Sequence, residues 1–130
     1  MVNIDFNWSW IYEDTIHKYS LQKPEFNYDE TKIFIDLFLP KVKSQWKPIE
    51  RTLLSYIEEI SGLKWKKKDI TCYIIKRSGY PPISDPLTIP VEFDSGSEIY
   101  SLNEERFIDM LTHELLHNLF IQNENIVNKY

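Results

Sequence analysis

The stretch from Glu105 to Gln122, "ERFIDMLTHELLHNLFIQ", sets Phe107, Ile108, Met110, Leu111, Leu115, Leu116, Leu119, Phe120 and Ile121 around nearly every face of a helix. Such a helix is stable only when buried all round, so the rest of the chain is expected to be built around it. Its start is signalled by "SLNE", where Ser101 as N-cap and Glu104 three residues on form a capping box. Glu104, Glu105 and Asp109 favour the positive end of the helix dipole.

The segments before it read as a mixture of strands and helices. In "VNIDFNWSW", Val2, Ile4, Phe6, Trp8 and Trp10 alternate with Asn3, Asp5, Asn7 and Ser9, the period of a half-buried strand. A loop is expected around "LQKPEFNYDE". The apolar "KIFIDLFL" fits strand or helix, with helix favoured, and Pro40 is expected to end it. A helix follows, with Pro48 in its first turn, Ile49, Leu53, Tyr56, Ile57 and Ile60 on its apolar face, and Gly62 as its stop.

The lysine run "KWKKKD" reads as a solvated turn and "ITCYIIKR" as a strand. After the loop "SGYPPISDP" comes "LTIPVEFD", a strand that Pro90 assigns to a sheet edge, since proline cannot donate to a ladder. The fold class expected is α+β: a small mixed sheet with an edge strand, one long backing helix and the buried C-terminal helix. A chain of 130 residues fits a single domain, 1–130.

Composition narrows the function. Apolar residues at 42% and aromatics at 15% describe a folded chain. The net charge of -5, with both signs interspersed, offers no basic face, so nucleic acid is not an expected partner. No window has the length and apolarity of a membrane span, and the N-terminus lacks a signal-peptide pattern, so a soluble, cytoplasmic protein is expected. Cys72, alone in "ITCYII", reads as a buried structural thiol, and His17 as a surface residue.

Chemistry concentrates in "THELLHN". His113 and His117 are four residues apart and therefore share a helix face, where their imidazoles can converge on one zinc ion. Glu114 sits at the flank of that face, where its carboxylate can take a proton from a zinc-bound water. This is the H-E-x-x-H arrangement. The bland alternative, two core histidines beside a rim glutamate, places two imidazoles and a carboxylate together on a buried helix, a costly arrangement that a metal ion offsets.

The segment "MLTHELLHNLF" resembles the active-site helix of zincin metallopeptidases. The layout of a long helix, a small sheet with an edge strand and then the motif helix resembles the gluzincin branch and its single-domain minigluzincins. The resemblance covers about a dozen residues closely and Asp69 to Phe120 in layout only. It implies that His113 and His117 bind zinc, that Glu114 is the general base and acid, and that "LTIPVEF" pairs with an extended peptide substrate by strand addition. The metzincin branch is excluded, because Phe120 and Asn123 stand where its glycine and third histidine belong.

A gluzincin takes its third ligand from a glutamate on a following helix, and only residues 118–130 remain after His117. Glu124 is the tentative third ligand: on an unbroken helix it lies about 10 Å beyond His117, but a turn at Gln122, Asn123 or Asn125 would fold it back. The other explanation, which is favoured, is that a longer chain carries the glutamate on its next helix, because "NENIVNKY" supplies no helix to cover the open side. Tyr100 and Tyr130 are candidates for stabilising the oxyanion. The expectation is a zinc-dependent peptidase; the alternative is a zinc-binding module without activity that captures an extended peptide at its edge strand.

Overall fold

The computed structural model describes residues 2–21 and 26–127, excepting the side chains of Ile126 and Val127. The elements in order are β1 (Asn3–Asn7), α1 (Trp10–Ser20), α2 (Tyr28–Trp46), α3 (Glu50–Ser61), β2 (Asp69–Ser78), β3 (Ile83–Ser84), β4 (Leu87–Ser95), β5 (Glu98–Ser101), α4 (Glu104–Gln122) and α5 (Glu124–Val127). The fold is α+β around one five-stranded mixed sheet, as the sequence led us to expect. Strand β2 pairs in parallel with β1 and β4, and β4 pairs antiparallel with β3 and β5.

Alternation decides which face each strand residue serves. Ile4 and Phe6 of β1, Ile70, Cys72 and Ile74 of β2, and Ile89, Val91 and Phe93 of β4 share one hydrophobic core with three helices. Helix α2 contributes Ile35, Phe38, Val42 and Trp46, α3 contributes Leu54 and Ile57, and α4 contributes Phe107, Leu111, Leu115 and Leu119. Cys72 is fully buried in this core, as expected, and burial pushes its thiol well above its usual value. Helix α1 packs on the opposite face, with the Tyr12 ring 5.1 Å from Tyr73 and the Tyr12 hydroxyl 2.7 Å from Thr88 Oγ1.

Several expectations are corrected. The strand in "VNIDFNWSW" ends at Asn7, three residues before Trp10, which opens α1, because Ser9 Oγ accepts from Tyr12 N and starts a helix there. Helix α1 itself was not foreseen. "KIFIDLFL" is helical as favoured, but Pro40 does not end α2; it sits inside, with Pro40 and Asp36 both exposed, so the carbonyl that loses its partner lies on the solvent side. Gly62 does stop α3, at φ 73°, yet Tyr56 and Ile60 face outward and the buried positions are Leu54 and Ile57. In the lysine run Trp65 is 2% exposed and donates to Leu54 O, so that turn is anchored in the core.

The strand "LTIPVEFD" is not a free edge. Its outer side is covered in two pieces, by β3 at Leu87 and Thr88 and by β5 from Glu92 to Ser95. Gly96, at φ 63°, turns the chain back to make the β4–β5 hairpin. The exposed outer strand on this side is therefore β5. Among the described residues no helix is long and apolar enough to cross a membrane.

Candidate metal centre

Helix α4 lies on β4, β3 and α2. Its cap is Asn103, whose Oδ1 accepts from Arg106 N at 2.8 Å, and not Ser101, which closes β5. The reason is register: pairing with Glu92 holds Ser101 in the sheet, and the helix begins only after Leu102. Nor is α4 buried all round. Phe107, Ile108, Leu111, Leu115 and Leu119 face the core, whereas Arg106, Asp109, His113, His117, Phe120 and Ile121 are exposed. The helix carries one open face, and both histidines lie on it.

The structure brings His113, Glu114 and His117 together. One ligand atom from each lies within 4.8 Å of the others, close enough to hold a metal ion. The imidazole centroids of His113 and His117 are 4.5 Å apart with the rings tilted by 53°, the result of one helical turn between them. Glu114 is buried at 8% exposure, and its Oε2 is 3.9 Å from His117 Nδ1. Among the described residues no protein group donates a hydrogen bond to this carboxylate, whose nearest polar neighbour is the His117 imidazole. Two imidazoles and one carboxylate are nitrogen and oxygen donors that could hold a metal ion.

The C-terminal half of α4 is braced. Asn118 Nδ2 donates to Ser84 O at 2.7 Å and its Oδ1 accepts from Gln122 Nε2 at 2.7 Å. Gln122 Oε1 in turn accepts from Lys66 N and Lys67 N, both at 2.9 Å. Asn123, 2% exposed, donates to Lys64 O and ends the helix. These amides fix the turn that carries His117 against the sheet and the lysine-rich turn.

A break at Asn123 is one condition under which Glu124 could fold back. Glu124 opens α5 in an exposed position and is not a member of the group formed by His113, Glu114 and His117. Tyr100, on β5, stacks on Phe93 with centroids 5.6 Å apart and borders a groove that reaches His113. Tyr130 lies outside the described residues. The sequence assigned Asp109 to the helix dipole and Met110 to the apolar surface and passed over Arg106, but marked none of them as a site residue; the three line that groove with Tyr100. Their spacing of three and four residues along α4 was the signal available.

His17 is not a surface residue. It is 6% exposed and its Nε2 lies 3.0 Å from Glu13 Oε2, on the buried side of α1. Compared with family models, with curated proteins and with solved structures, the chain matches none.

Proposed function

We propose that this chain is a zinc-dependent peptidase of zincin type, in which His113 and His117 hold the metal and Glu114 is the general base. What supports the reading is the division of exposure along one helical turn: two imidazoles face solvent while the Glu114 carboxylate beside them is mostly buried, with one ligand atom of each within 4.8 Å of the others. A bound zinc ion supplies a Lewis acid that polarises a peptide carbonyl and acidifies water. Glu114 accepts the proton of the attacking water and returns it to the departing amine, so water is added across the C–N bond with no proton left over.

A second reading follows from the same distances. If Glu114 turns onto the ion, the three side chains become a three-ligand site with no base, and the protein is a zinc-bearing module that binds an extended peptide without cutting it. Glu114→Gln separates the two. For the peptidase, the variant retains zinc and loses at least 100-fold in hydrolysis of a mixed peptide library read by mass spectrometry. Zinc lost together with the carboxylate selects the module, and hydrolysis that survives the change defeats the peptidase.

A further inference from the structure

The open face of α4 continues from the histidines toward the helix start as a groove of about 440 Å³, lined by Tyr100, Leu102, Arg106, Asp109, Met110 and His113. Tyr100, Leu102 and Met110 give it apolar walls. Arg106 is seven residues before His113, about 10 Å back along the helix axis, and Asp109 is four before it, about 6 Å back. Among the described residues the Arg106 guanidinium pairs with no carboxylate; its backbone N–H is engaged by Asn103 Oδ1. An apolar trough that starts at a metal-binding group and ends at an unpaired guanidinium has the polarity of a peptide's carboxyl terminus.

We propose, on the basis of the peptidase reading above, that this groove binds the C-terminal end of a peptide, with apolar side chains against Tyr100, Leu102 and Met110 and the free α-carboxylate on Arg106. The register follows from lengths. An extended peptide advances about 3.4 Å per residue, so two residues beyond the scissile carbonyl place the carboxylate about 7 Å out, within reach of the long Arg106 side chain. One residue alone leaves the carboxylate beside Asp109, which repels it. The site therefore releases a short C-terminal fragment of about two residues in preference to one.

Calorimetric titration of N-acetyl-leucyl-phenylalanine and of its C-terminal amide into the zinc-supplied protein and into Arg106→Gln tests this. The free acid should bind about tenfold more tightly than the amide to the native protein, and Arg106→Gln should erase that ratio. Equal binding of acid and amide, or a ratio that persists in Arg106→Gln, overturns the carboxylate site. Mass spectrometry of longer peptides reads the parent proposal separately. Acid-selective binding without any cleavage removes the peptidase and leaves the carboxylate site standing. Cleavage indifferent to C-terminal amidation removes the carboxylate site and leaves the peptidase.

Discussion

Glu13 has no solvent exposure and receives four donors: the Trp8 indole N–H at 2.8 Å, His17 Nε2 at 3.0 Å, and the backbone N–H groups of Lys76 and Arg77 on β2. A buried carboxylate is tolerated only with such a set of partners, and here the set joins α1 to the sheet. Glu13→Ala leaves the β2 amides and the indole without their acceptor and should cost about 3 kcal/mol in urea unfolding. A loss below about 0.5 kcal/mol, the scale of a surface change, contradicts this role. Glu114 differs: among the described residues no protein group donates a hydrogen bond to it, and its nearest polar neighbour is His117 Nδ1 at 3.9 Å. At this scale the sequence was informative only where geometry is local. His113, Glu114 and His117 meet because of helix pitch alone, whereas the burial of His17 depends on Glu13 and on a sheet distant in sequence.

Among the elements, α1 escaped the sequence reading because its pattern is inverted. In "WIYEDTIHKYS" the buried positions are Glu13 and His17, while Trp10, Ile11 and Tyr19 are exposed, so apolar periodicity points to the wrong face. Ser9 was the usable clue. Pro40 misled because an exposed proline in a long helix frees only a solvent-side carbonyl. Pro90 misled because its strand has outer neighbours at both ends, on either side of Ile89–Val91. The junction between α1 and β2 rests on Gly79, whose N–H donates to Ser20 Oγ at 2.8 Å. A Cβ added there would collide with the Ser20 backbone carbonyl. Gly79→Ala should therefore lower stability by about 2 kcal/mol, readable as a fall in the denaturation midpoint with an unchanged slope. An unchanged midpoint would mean that α1 shifts freely on the sheet.

For the molecule as a whole, the sheet separates two functions of its helices. Helix α1 closes one face through a polar hub, and α2 and α3 share with α4 the core on the other, so that α4 is held by Phe107, Leu111, Leu115 and Leu119 while its opposite side stays open. That arrangement places His113 and His117 on a rigid support next to a groove bounded by β5. The α+β class and the histidine pair were legible from periodicity and spacing. The open face was not, since nine apolar residues on α4 give no indication of which side the sheet covers. The groove depends on the β4–β5 hairpin and was equally hidden. The most direct test of the proposed metal centre is zinc content per chain after exhaustive dialysis, measured by elemental analysis on the native protein and three variants. About one zinc is expected for the native protein and for Glu114→Gln, and almost none for His113→Ala and His117→Ala. Zinc absent from the native protein, or bound equally by all four, contradicts the proposed centre.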